Sequence, residues 1–148
     1  LQGLEQGKTA KEVVAEGKRR GFIETNPNND IDGNEAAAKT AALVNVMMGA
    51  DITPNDIEIT GIGGITKKEI DEAAEKGNVI KLICRAYEKD GEVHVKVGPE
   101  EISRFSAFAS VSITTDLMGT MTIVEESPDM EQAAYGVVSD LITIVKDM

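Results

Sequence analysis

The stretch "VIKLICRAYEKDGEVHVKV", residues 79–97, decides the fold class, because it predicts two strands joined by a tight turn. Its first part is rich in β-branched and aromatic residues, and "EVHVKV" alternates apolar with polar residues. Asp90-Gly91 lies between the two parts and is a preferred pair for a two-residue turn with positive φ angles. The stretch therefore predicts an antiparallel β-hairpin.

Turn and capping signals on both sides of this hairpin predict the remaining elements. "FASVSITTD" and "TMTIVEE" predict a second hairpin with a turn near Met118-Gly119. Three pairs have the spacing of a helix capping box: Thr9 with Glu12, Asp32 with Glu35, and Thr66 with Glu69. Glycines follow the predicted helices at positions 21, 49 and 77. A last helix is predicted to begin at Ser127-Pro128 and to end near Val145.

The predicted order of elements indicates an α+β fold. It runs helix, helix, strand, helix, two hairpins and helix, which favours a mixed, mostly antiparallel sheet with helices packed on one face. The other face would be available for dimerisation. The length of 148 residues is typical of one domain, so we predict a single domain over residues 1–148.

Composition argues against several classes of partner. The net charge of −11 would repel a nucleic-acid backbone, and no apolar run approaches the ~18 residues that span a membrane. One cysteine, Cys84, permits no internal disulfide, which fits a protein of the reducing cytoplasm. Because Cys84 lies in an apolar run, we expect it to be a buried structural thiol.

The stretch "GFIETNPNNDIDGNEAAAKT", residues 21–40, concentrates polar side chains before an alanine-rich helix. Part of it matches the first half of an EF-hand calcium loop: Asn28, Asp30, Asp32 and Gly33. The twelfth position, which needs a bidentate glutamate, is Lys39. We therefore predict no metal site.

The stretch "ITGIGGIT", residues 59–66, imitates a dinucleotide-binding fingerprint. The sixth position of the pattern is Thr66 instead of glycine, and the strand that follows the helix turns directly into a hairpin. We interpret the stretch as a flexible turn and predict no cofactor-binding residues in this chain.

Lys39 is the one charged residue between Glu35 and Asp51 on an otherwise apolar predicted helix. Glu35 and Lys39 are four residues apart, so they share a helix face, and a plain surface ion pair is the alternative to a functional role. We expect Lys39 to be partly buried, which would favour a reactive amine.

These residues carry a family resemblance. The spacing of seven residues resembles a segment of homoserine dehydrogenases: Gly21, Glu24, Pro27, Asp30, Gly33, Ala36 and Lys39. "GITKKEIDEAAEKGNVIKLI" and "TTDLMGTMTIVEE" are similar to the family's following helix and strand and to its late hairpin. The chain departs from the family at Asn26 and Glu35, where aspartate is usual, and at Glu126–Met130, which replaces a glycine-rich turn.

The resemblance implies the catalytic (substrate) domain of an oxidoreductase that interconverts L-homoserine and L-aspartate 4-semialdehyde with NAD or NADP, in threonine and methionine biosynthesis. It implies a homodimer, and a nucleotide-binding domain of the same enzyme that binds the cofactor and is missing from this chain, so the chain alone would be inactive. A non-catalytic amino-acid-binding or dimerisation module derived from the same fold is the alternative.

The resemblance also implies roles for four residues. Glu24 would bind the substrate ammonium, Asp30 would contact the substrate hydroxyl, and Glu35 would complete the substrate site. Lys39 would be one of two lysines that transfer the proton, the second being supplied by the nucleotide-binding domain.

Overall fold

The computed structural model of the chain describes residues 1–21, 28–106, 109–125 and 130–146. The chain divides into two compact units, Leu1–Arg104 and Phe105–Met148. The elements are those of a mixed α/β protein with small, mostly antiparallel sheets, as predicted. The assignment of residues 1–148 to a single domain stays a prediction.

The described part of the first unit contains five α-helices and one 3-10 helix, which spans Pro54–Asp56. The α-helices are α1 (Gln2–Glu5), α2 (Ala10–Arg19), α3 (Asn28–Ile31), α4 (Asn34–Met48) and α5 (Lys67–Glu75). The capping boxes at Thr9 and Thr66 are confirmed, because each side chain accepts a hydrogen bond from the N–H of the glutamate three residues on. Each glutamate in turn accepts a hydrogen bond from the threonine N–H. Two backbone donors that a helix start leaves without partners are thereby satisfied at each site.

The capping box predicted for Asp32 and Glu35 is wrong. Gly33 precedes α4 as its N-cap with φ 84°, and no side chain caps the helix. Gly33 occupies the N-cap position, so Asp32 lies one residue before the position from which a side chain could cap the helix. α4 nevertheless ends before Gly49 as predicted, and this C-cap glycine has φ 66°.

A three-stranded sheet is the centre of the first unit. It contains β1 (Glu58–Ile59), β2 (Asn78–Lys89) and β3 (Glu92–Ser103), in the order β1-β3-β2. β2 and β3 pair antiparallel over their whole length, and β1 pairs parallel with β3. The turn between the long strands has φ 55° at Asp90 and 80° at Gly91, which confirms the predicted hairpin.

The core lies between α4 and one face of this sheet. α4 buries a stripe of side chains spaced three and four residues apart: Ala37, Thr40, Ala41 and Val44. Ala37 and Ala41 pack with Val97 of β3, which is 1% exposed, and with Ile57. Val95 and Leu82 pack against this cluster from the same sheet face.

Near the turn, the opposite face of the hairpin is polar. The Arg85 guanidinium donates to both oxygens of Glu100, at 2.5–3.0 Å. Tyr87 and His94 are cross-strand partners whose rings stack at 5.3 Å between centroids. Exposed side-chain pairs therefore line this face near the turn, whereas Val79, on the same face at the start of β2, is buried.

The prediction that Cys84 is buried is wrong, because its side chain is exposed. β2 has 12 residues and is about 40 Å long, whereas α4, with 15 residues, is only about 22 Å long. The helix is too short to cover the whole hairpin, and every side chain from Cys84 to Lys89 is exposed.

The second unit contains the second predicted hairpin and the last helix: β4 (Ala109–Thr115), β5 (Gly119–Glu125) and α6 (Met130–Lys146). One face of the hairpin is apolar, with Val111 opposite Ile123 and Ile113 opposite Met121. Its other face pairs hydroxyls, such as Ser112 with Thr122 at 2.9 Å. Within the described ranges, no helix has both the length and the apolar character needed to cross a membrane.

Candidate functional site

The corner between α3 and α4 carries the acidic residues of the candidate site. Asp30 lies in α3, and Glu35 lies in the first turn of α4. Gly33 links the two helices in the left-handed conformation, and a Cβ on it would lie 3.1 Å from Ile59 Cγ2. The corner is therefore a tight connection that packs against β1, and it brings Asp30 and Glu35 together.

Asp30, Glu35 and Lys39 form a continuous row of ionisable side chains. The Lys39 ammonium Nζ donates a hydrogen bond to Glu35 Oε1 at 2.5 Å. The pKa of Glu35 is lowered from its ordinary value, first by a hydrogen bond with the Asp30 side chain and second by the one from Lys39. The structure thus brings together three of the four residues that the sequence singled out.

Lys39 is exposed, so the expectation that it is partly buried is wrong. Its side chain is 75% exposed, and that of Glu35 is 38% exposed. Lys39 follows Ala37 by two positions, which at about 100° per residue puts it on the side of α4 away from the core. The apolar neighbours on this outer side, Leu43 and Val46, are themselves exposed, with Val46 at 85%.

The lowered pKa of Glu35 leads to a prediction about pH. Its carboxyl group is expected to titrate below the ordinary value of 4.5 in the folded protein. The stability that its partners provide is present above that value and is lost as the pH falls through the lowered pKa. Carbon-detected NMR titration measures this directly. Lys39→Ala should raise the pKa only partway, because Asp30 remains, and a wild-type Glu35 that titrates at 4.5 or above would refute the assignment.

The stretch "ITGIGGIT" does not form a dinucleotide site in the described residues. β1 has only two residues and pairs with β3, and β2, which follows α5, runs antiparallel to β3. A dinucleotide fold needs two parallel strands joined by a helix. The turn that we predicted is present, but the sequence did not reveal that it packs against the α3–α4 corner, where Ile62 N–H donates to Ile31 O at 2.8 Å. Three glycines within four residues were the available signal of a close backbone approach.

Two further predictions concern the role of Glu24 and the absence of a metal site. Glu24 and Asn26 lie outside the described residues, so the assignment of Glu24 to the substrate ammonium stays a prediction. In the part of the chain that the structure describes, no three His, Cys, Asp or Glu side chains form a group that could hold a metal ion.

Comparison with known proteins gives the class of protein to which this α+β chain belongs. Residues 1–142 match the family model of homoserine dehydrogenase. A homoserine dehydrogenase of Sulfurisphaera tokodaii is 35% identical over 151 residues. The NAD(+)-dependent homoserine dehydrogenase of Pseudomonas canavaninivorans is 28% identical over 152 residues. The crystal structure of Staphylococcus aureus homoserine dehydrogenase at pH 8.5 is similar with a TM-score of 0.79 and 27% identity, over 97% of this chain and 38% of that one.

The chain belongs to the homoserine dehydrogenase family, as its sequence indicated. It spans less than half of the length of each of these relatives. The alignments cover 97% of this chain but only 45% of the Sulfurisphaera protein and 43% of the Pseudomonas protein.

Proposed function

We propose that this chain is the catalytic domain of an oxidoreductase that interconverts L-homoserine and L-aspartate 4-semialdehyde with NAD(H) or NADP(H). The observation that carries the proposal is the row Asp30–Glu35–Lys39, in which the exposed Lys39 ammonium pairs with Glu35, and Glu35 in turn meets the side chain of the half-buried Asp30. Membership of the homoserine dehydrogenase family supports the choice of substrate.

The chemistry needs two kinds of group, and the chain has both. The ammonium of an amino acid needs a fixed carboxylate, which Glu24 supplies, and Asp30 and Glu35 orient the hydroxyl. In the reductive direction Lys39 donates a proton to the carbonyl oxygen as this becomes the hydroxyl. In the oxidative direction Lys39 takes that proton back.

The nicotinamide cofactor binds mainly to another part of the same enzyme, where it exchanges hydride with the substrate carbon. This part of the proposal is supported by the glycine-rich turn, which lacks the parallel strands of a dinucleotide fold. The outer side of α4 offers a surface for that nucleotide-binding domain, since Leu43, Val46 and Met47 are exposed beside Lys39. We assign the enzyme to the cytoplasm and to threonine and methionine biosynthesis.

The experiment that tests the function is a steady-state assay of the enzyme that contains this chain. L-Homoserine with NAD⁺ or NADP⁺ should give reduced cofactor, and the chain alone should give none. If neither cofactor is reduced although calorimetry shows that homoserine binds, the protein is the non-catalytic amino-acid-binding module. If homoserine neither binds nor reacts, the substrate assignment fails.

The enzyme is a homodimer that pairs through the apolar face of the β4–β5 hairpin. Val111 and Ile123 lie opposite each other on this face and are 46% and 71% exposed. Ile123→Lys is expected to convert a dimer into a monomer in analytical ultracentrifugation, because a buried interface excludes an unpaired charge. Thr122→Lys, on the opposite face of the same strand, is the matched control. A wild-type monomer at micromolar concentration would contradict the proposal.

A further inference from the structure

The loop that joins β1 to α5 packs directly on the corner that carries the acidic site. Its Ile62 N–H donates to Ile31 O at 2.8 Å. A Cβ added to Gly61 would lie 2.8 Å from Ile31 O and 2.9 Å from Asp32 Cα. Both atoms belong to the backbone, so neither can move aside as a flexible side chain would. The two backbones therefore touch at a point where only a residue without a side chain fits.

The glycines of this loop differ in how much room they have. A Cβ on Gly63 would lie 3.2 Å from Ile31 Cγ2, which is a side-chain atom, and a Cβ on Gly64 would meet nothing within 4 Å. None of the three has a positive φ angle, so the backbone conformation does not require glycine at any of them. Glycine is needed at position 61 because there is no space for a Cβ, and this need for glycine decreases from Gly61 to Gly63 to Gly64.

The contacted segment lies between the two acids of the site. Ile31 follows Asp30 directly, and Gly33 leads into the first turn of α4, where Glu35 is found. Restoring an ordinary contact of 3.4 Å from one of 2.8 Å requires a shift of about 0.6 Å. Such a shift in the Ile31–Asp32 backbone would move the adjacent Asp30 relative to Glu35, the residue that its side chain meets.

We propose that Gly61 is a positioning residue for substrate binding: its bare backbone holds the Ile31–Asp32 segment where Asp30 meets both Glu35 and the substrate hydroxyl. The inference rests on the proposed function and gives this glycine-rich loop a role that does not involve the cofactor. Because Asp30 would no longer meet the substrate hydroxyl, one hydrogen bond to the bound substrate is lost, which is expected to weaken substrate binding by about tenfold.

The test compares Gly61→Ala, Gly63→Ala and Gly64→Ala in the enzyme that contains this chain. Gly61→Ala is expected to raise KM for homoserine about tenfold and to leave KM for the nicotinamide cofactor within about twofold of wild type. Gly63→Ala should have a smaller effect of the same kind, and Gly64→Ala should have none. Hydrogen exchange at the Ile62 amide should accelerate in Gly61→Ala and stay slow in Gly64→Ala.

Each other outcome overturns the inference. A rise in KM for the cofactor would mean that the loop binds phosphate. A fall in kcat with both KM values unchanged would mean that Gly61 only supports folding. If Gly61→Ala does not fold, equal homoserine KM values for Gly63→Ala and Gly64→Ala refute the proposed order. A wild-type enzyme that is inactive with homoserine refutes the proposed function instead, and the two failures are thus distinguishable.

Discussion

Lys39→Ala is expected to lower kcat by about 10²-fold or more in the enzyme that contains this chain, because general acid–base groups contribute on this scale. Lys39 is the ammonium at the end of the row that begins with Asp30, and its hydrogen bond to Glu35 fixes where its proton points. The lysine is open to solvent in this chain, so a substrate can reach it without any opening of the fold. Steady-state kinetics in both directions measure the effect.

Three further variants separate proton transfer from loss of a surface charge. Lys39→Arg keeps the charge but should not restore kcat, since a guanidinium does not release its proton near neutral pH. Lys68→Ala is the matched control, because Lys68 is an exposed lysine with an ion pair to Glu72 four residues on. Glu24→Gln should chiefly raise KM, because the ion pair between Glu24 and the substrate ammonium forms when the substrate binds, before the reaction begins.

The competing view is that Lys39 and Glu35 form an ordinary surface ion pair, which contributes only about 0.2–0.5 kcal/mol to stability. The high exposure of Lys39 fits that view as well as it fits an open active site. A Lys39→Ala enzyme whose kcat stays within about twofold of wild type, as Lys68→Ala should, would favour the surface pair and remove Lys39 from the site.

Val97→Ala is expected to lower the free energy of unfolding by about 2.5 kcal/mol, since two methyl groups leave a packed core and a cavity remains. Val97 is the largest fully buried side chain among the described residues, and it lies on the central strand of the three-stranded sheet. It packs with Ala37 and Ala41, whose small side chains cannot expand to fill the space. Urea unfolding followed by circular dichroism measures the change.

Val46→Ala is the matched control for this prediction. It removes the same atoms from α4, but its side chain is 85% exposed, so for this chain by itself, without the nucleotide-binding domain, the free energy of unfolding should change by less than about 0.5 kcal/mol. Equal losses for the two variants would mean that the core does not lie between α4 and β3, or that another part of the protein covers the outer side of α4.

Several elements of the fold were predictable because their causes lie within a few residues. The boxes at Thr9 and Thr66 need only a threonine, a glutamate and a spacing of three. The turn at Asp90-Gly91 needs two residues that tolerate positive φ. The four-residue helices α1 and α3 were not anticipated, because a single turn has too little periodicity to be recognised.

The candidate site was predictable only in part. The i,i+4 spacing of Glu35 and Lys39 correctly predicts their contact, because a regular helix sets that distance. The link between Asp30 and Glu35 crosses the turn at Gly33, where the local pattern wrongly suggested a capping box from Asp32. The backbone of this turn belongs to no regular helix or strand, so only the structure could show how it places Asp30 beside Glu35.

The sequence by itself determined the capping boxes at Thr9 and Thr66, the end of α4 at Gly49, the two hairpins and the family, whereas the predicted start of the last helix at Ser127-Pro128 lies outside the described residues. Only the tertiary structure decided which surfaces are covered: Lys39 and Cys84 are exposed although both lie in apolar stretches. It also decided the pairing of β1 with β3, and the contact of Gly61 with the Ile31–Asp32 backbone. The physical reason is the distance along the sequence over which each feature is decided. Caps and turns are closed by hydrogen bonds between residues close in sequence, whereas burial depends on which sequence-distant segment packs against a residue.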